Sequence, residues 1–111
     1  MDPRRSHQPL PIALAALMAE KRLTVGQLWV AAGLESPSSI YHYLRGRRGR
    51  VFNAQSALVI RKIAPVLGVA PDYFREYRIY LVQRILAAFP ELVDVHYDLL
   101  TSEARARGFE E

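Results

Sequence analysis

Between Ile12 and Leu100 the apolar side chains recur three or four positions apart, and no segment alternates with period two. That spacing belongs to helices, so the expected fold class is all-α. The punctuation agrees. Pro11 suits a first helical position for "PIALAALMAEKR", where Ile12, Ala13, Ala16 and Leu17 share a face and Lys21 and Arg22 suit the negative end of the helix dipole. Thr24 is the expected N-cap of "VGQLWVAAG", with Gly33 just past its end. Ser36 and Pro37 are expected to open a short helix closed by Gly46, and Asn53 to cap "AQSALVIRKIAPVLG", where Ala57, Ile60, Ile63, Ala64 and Leu67 form a stripe. Pro65 should tighten or kink its last turn. From Pro71, "PDYFREYRIYLVQRILAAF" reads as one helix apolar on two faces, Phe74, Tyr77, Leu81 and Ile85 on one, and Ile79, Val82, Leu86 and Phe89 on the other. Pro90 opens a last helix through Leu100, and the polar end is expected to fray.

A chain of 111 residues can bury one core but not two. With no cysteine, a disulfide scaffold and a thiolate metal site are both excluded, which fits a reducing cytoplasm. The N-terminal stretch has charge but no apolar segment of secretory length, so no signal peptide is expected, and no apolar run is long enough for a membrane span. Charge is divided unevenly. Residues 1–62 hold 10 Lys/Arg against 3 Asp/Glu, a balance of +7, whereas residues 63–111 hold 5 against 8, a balance of −3. A basic half joined to an acidic half points to a polyanion-binding module and a second part with another task.

The stretch "SPSSIYHYLRGRRGR" locates that module. Two short helices around a Gly-containing turn, the second with small polar side chains near its start, describe a helix-turn-helix. The second helix of such a motif lies in the DNA major groove, with an apolar face inward. Ile40, Tyr43 and Leu44 supply the inward face; Ser38, Ser39, Tyr41, His42 and Arg45 remain for the groove.

Three pieces in order, "LMAEKRLTVGQLWVAAGL", "SSIYHYLRG" and "IRKIAPVLGVAPDYF", make residues 10–74 resemble the lambda-repressor-like (Cro/XRE-type) DNA-binding domains. The resemblance implies a five-helix domain whose third helix, about residues 37–45, reads bases, and a dimer on a two-fold-related site. Ser38 and His42 match positions that contact base edges in that family, and Thr24 and Ser36 match helix starts that touch phosphate. The loop after Gly46 runs along the DNA backbone there, which would set Arg45, Arg47, Arg48 and Arg50 on phosphate or in the adjoining minor groove.

The chain departs from the family pattern in several places. Trp29 stands where a small residue is usual, and Glu35 makes the turn one residue longer. Val25 replaces a Gln that supports a DNA contact, and Pro37 occupies a base-reading position without a donor. Met18 and Leu44 replace an Arg–Glu pair, so these two side chains are expected to touch, apolar packing being a workable substitute for a buried ion pair. Trp29 is expected in the core.

Nothing resembles a nucleophile with its base, a phosphate loop or a metal-ligand spacing, so neither an enzyme nor a cofactor or metal is expected. The helices beyond residue 75 carry more apolar surface than one groove covers. They are expected to form a two-fold homodimer around Tyr80, Leu81, Arg84, Ile85, Leu92 and His96, which would set two reading helices about 34 Å apart. The expected organisation is a flexible arm over 1–9, a DNA-binding domain over 10–77, a dimerisation extension over 78–101 and a frayed tail over 102–111. The expected function is a cytoplasmic, nucleoid-associated regulator binding double-stranded DNA sequence-specifically, a repressor by default, since no effector-binding domain is visible. The alternatives are an architectural DNA-binding protein of weak sequence preference and an antitoxin-like interaction module.

Overall fold

Six α-helices and one 3-10 turn form the regular backbone in a computed structural model that describes residues 4–46 and 52–111. They are α1 (Leu10–Lys21), α2 (Val25–Ala31), α3 (Ser38–Arg45), α4 (Ala54–Val66), the 3-10 turn Pro71–Tyr73, α5 (Arg75–Ala88) and α6 (Glu91–Ala106). No β-strand occurs among the described residues, as the spacing predicts. Two compact units result, one ending at Tyr80 and the other spanning Leu81–Glu111, with α5 running across the boundary. No helix among the described residues is long and apolar enough to cross a membrane.

The first unit closes around one apolar core. Leu14, Leu17, Leu28, Ile40, Ile60, Ile63, Leu67, Val69 and Phe74 are fully enclosed. The α4 stripe read from the sequence is buried in full: Ala57, Ile60, Ile63, Ala64 and Leu67. α1 packs on α3, α2 on both α3 and α4, and α4 on the 3-10 turn. Met18 belongs to the core cluster and half-buried Leu44 packs against it, so the positions expected to meet serve one apolar cluster. Trp29 is half-buried against the same cluster rather than enclosed by it.

Caps define the helix ends. Thr24 forms a capping box: its Oγ1 accepts from the Gln27 N–H at 3.1 Å, and the Gln27 Oε1 accepts from the Thr24 N–H at 2.9 Å. Asn53 Oδ1 accepts from the Ser56 N–H at 3.0 Å at the start of α4. Pro65 sits inside α4 one residue before its end, so the N–H it lacks is missing only from the last turn.

Arg22 closes α1 in the left-handed region, at φ 55°, the only described residue other than glycine with positive φ. Leu23 N–H reaches back to the Met18 carbonyl at 2.9 Å, the closing bond of a Schellman turn. That conformation costs an L-residue about 1–2 kcal/mol. Arg22→Gly is therefore expected to raise stability by about 0.5–1 kcal/mol, net of the extra freedom glycine has when unfolded. Urea denaturation at two temperatures measures it; an unchanged midpoint would mean that the side chain makes a compensating contact.

Three expectations are corrected. The helix read from Pro71 is broken: the 3-10 turn ends at Phe74, whose φ −86° and ψ 129° are extended, and α5 starts only at Arg75. Phe74 is fully buried in the first unit, and that insertion overrides the helical period continuing through Tyr77 and Leu81.

The arm expected to be flexible is fastened in its described part. Ser6 N–H donates to the Tyr73 carbonyl at 2.8 Å, while the Arg78 guanidinium donates to the Ser6 carbonyl at 2.6 Å and that of Arg75 to the His7 carbonyl at 3.3 Å. Arg4 pairs with Glu20 and Arg5 with Asp72.

The tail expected to fray over 102–111 is helical to Ala106, because Glu103, Ala104, Arg105 and Ala106 are good helix formers. It ends with Gly108 at φ 92° and a Phe109 N–H bond to the Ala104 carbonyl at 2.9 Å.

Candidate nucleic-acid interface

α3 is eight residues long, too short to persist alone in water, so its position is set by what it buries. Ile40 is fully enclosed, Tyr43 nearly so, and Leu44 is half-buried. The Tyr43 hydroxyl reaches the Ser56 carbonyl in the first turn of α4 at 3.5 Å, so the phenol ties the inward face of α3 to a capped helix start. Gly46 ends the helix at φ 58°. A Cβ there would stand 3.1 Å from Cγ of Pro11, so the end of α3 sits tightly against the start of α1.

The other face carries the residues expected to read bases. Ser38 and Tyr41 are exposed, the latter to 43%, while Ser39 and His42 are half-buried. Arg45 lies one turn beyond Tyr41, its guanidinium carbon 5.5 Å from the ring centroid. Such a stack is worth about 0.5–1 kcal/mol at an exposed site and holds both groups in one orientation.

The expected cap at Ser36 is marginal. Its Oγ accepts from the Ser38 N–H at 3.4 Å, a long bond, and regular helix begins at Ser38 rather than Pro37. Pro37 itself is nearly helical, at φ −79° and ψ −1°, and its carbonyl accepts from the Tyr41 N–H at 3.1 Å. The hydroxyls of Thr24 and Ser36 both belong to exposed residues at helix starts; as acceptors in these caps they retain a proton to donate outward. Arg47, Arg48 and Arg50 lie outside the described residues.

One feature of this surface has no sequence motif. A groove of about 350 Å³ separates the α2–α3 turn from α4, with Glu35 and Ser36 on one wall, Ser39 from α3, and Gln55, Leu58 and Lys62 from α4. Gln55, Leu58 and Lys62 follow i, i+3, i+7 spacing, which marks a common face but not that it borders α3. Lys62 adds a cation beside the helix that carries Ser38 and Ser39.

The six residues expected at a dimer interface divide. Tyr80 is half-buried, its ring edge-on to Phe52 at a centroid distance of 5.7 Å, so it serves the first unit. Leu81, Arg84, Ile85 and His96 are exposed and Leu92 is half-buried. No grouping of His, Asp and Glu suited to a metal occurs among the described residues.

No protein-family model matches the chain, and no curated protein or solved structure is significantly similar to it.

Proposed function

We propose that the first unit is a lambda-repressor-like helix-turn-helix that binds duplex DNA with α3 in the major groove, and that the protein is a transcriptional repressor acting on the nucleoid. The observation that carries this reading is the two-sidedness of α3: Ile40 and Tyr43 lock one side into the core, while Ser38, Ser39, Tyr41, His42 and Arg45 occupy the other. With its side chains an α-helix is about 10–12 Å across, which a major groove about 12 Å wide admits. Short hydroxyls at its leading end let the backbone approach base edges, and Tyr41 and His42 offer hydrogen-bonding tips further along. Charge agrees. Residues 1–80 hold 12 Lys/Arg against 5 Asp/Glu, a balance of +7, so the unit bearing α3 is the polyanion-attracting one.

In this reading the arginines from Arg45 to Arg50 supply most of the affinity, through release of phosphate counterions, and α3 supplies the discrimination. Selection of bound duplexes from a random pool, followed by titrations of selected and random duplex across a salt series, tests it. A selected site should bind about a thousandfold tighter than random sequence. His42→Ala should relax preference at one base position and cost about tenfold there. Arg48→Ala should weaken all sequences alike and reduce the slope of log affinity against log salt by about 0.9. Equal affinity for selected and random duplex would leave an architectural protein in place of a repressor. If the two substitutions act identically, α3 is not the reading surface.

A further inference from the structure

Every residue of α6 is described and none is buried, although Val95, Leu99 and Leu100 are apolar and 68%, 64% and 59% exposed. At 100° per residue, Leu92, Val93, His96, Leu99, Leu100 and Ala104 gather on one arc, while Glu91, Asp94, Asp98, Ser102 and Arg105 form the opposite one. A single helix of this length is marginal in water, and an apolar arc this wide needs a cover. Two ionisable residues interrupt it: His96 before its middle and Glu103 after.

We infer that the cover is a second copy of the chain, with α6 packed antiparallel on its counterpart about a two-fold axis between Leu99 and Leu100. The placement of charge selects this occupant and this direction. His96 precedes Leu99 by three residues, and Glu103 follows Leu100 by three. Antiparallel two-fold pairing therefore sets His96 of each copy opposite Glu103 of the other, on both sides of a leucine centre. Parallel pairing would oppose His96 to His96 and Glu103 to Glu103, matching like with like.

The helix dipoles agree, since antiparallel packing brings the acidic first turns, with Glu91 and Asp94, alongside the end that carries Arg105 and Arg107. Among the described residues Glu103 has only a long contact to exposed Arg107, at 3.7 Å, so turning it toward a partner forfeits little. In the same unit Leu81 and Ile85 of α5, and Phe89 just after it, are also exposed. The inference keeps Leu92 and His96 from the face expected at first, adds Glu103 and Leu100, and does not depend on DNA recognition.

Sedimentation equilibrium of the full chain over a range of concentrations tests it. The wild type should have the mass of two chains, and Leu99→Asp with Leu100→Asp that of one. His96→Glu should weaken association at least about tenfold, because two carboxylate pairs then face each other at each dimer. Adding Glu103→Lys to His96→Glu should restore it to within about threefold. The helical circular-dichroism signal of each variant, compared with that of the wild type, checks that α6 is folded. A wild type that stays single up to about 100 μM would overturn the inference and leave the arc to a different protein. So would a dimer indifferent to the leucine changes, or a Glu103→Lys that fails to rescue His96→Glu.

Discussion

Arg78→Ala is expected to lower the unfolding free energy by about 3 kcal/mol, much more than an ordinary surface arginine would. Its Nη1 donates to the carbonyls of Asp72 and Tyr73 at 2.8 and 2.9 Å, and its Nη2 to that of Ser6 at 2.6 Å. The first two are carbonyls of the 3-10 turn, and the third belongs to the N-terminal segment lying against it. Hydrogen bonds from a charged donor contribute about 1.5–3 kcal/mol each. The site is only part-buried, so water can replace some of that, and the sum is well below three full bonds. Denaturant titration measures the loss, and the Ser6 amide, now bonded to the Tyr73 carbonyl, should exchange with solvent faster in the variant. Arg78→Lys should recover only part, because an ammonium cannot reproduce the planar fork. A loss below about 0.5 kcal/mol would show that the segment is held by its other contacts.

Ile40→Ala is expected to cost a similar amount, about 3 kcal/mol, and to carry the loss into binding. Ile40 is fully enclosed, and removing a buried aliphatic side chain typically costs 2–5 kcal/mol including the cavity left behind. Here the cavity opens beneath the eight-residue α3, which has Tyr43 as its other deep anchor. With one anchor gone, the helix should sample more orientations, and duplex affinity should fall at least about tenfold even at temperatures where the variant is still folded. Leu58→Ala, at a residue 40% exposed on α4, is the control and should shift stability by under about 1 kcal/mol. Ile40→Ala with lowered stability but full DNA affinity would detach α3 from recognition.

Much of this architecture is legible in the residues themselves. Thr24, Gly33, Gly46 and Asn53 announce helix ends because their side chains, or the lack of one, do something at a terminus that other residues do poorly. The inward set of α3 is readable for a similar reason, since Ile40, Tyr43 and Leu44 satisfy helical spacing and nothing else in the segment does. The break at Phe74 is not readable. Its neighbours Tyr77 and Leu81 continue a helical period, and only the demand of the core for that phenyl ring pulls the backbone into extended form. The fastening of residues 4–8 is equally silent, because backbone carbonyls have no identity in a sequence and the donors, Arg75 and Arg78, lie far along the chain. The last turns of α6 were obscured by polarity, which marks exposure rather than disorder when the residues are Glu, Ala and Arg. At the surface, the Tyr41–Arg45 stack follows from i, i+4 spacing, but the groove between Ser39 and Lys62 depends on how α4 lies and has no local signal.

The last fully enclosed side chain is Phe74, and the first unit closes at Tyr80. Every fully enclosed side chain lies before that point, as does Arg78 with its three carbonyl bonds. Substitutions beyond Ala88, where α5 ends, alter none of those enclosed side chains. A designer wishing to alter what the chain associates with can work on the exposed side chains of α6, since none of them belongs to that interior.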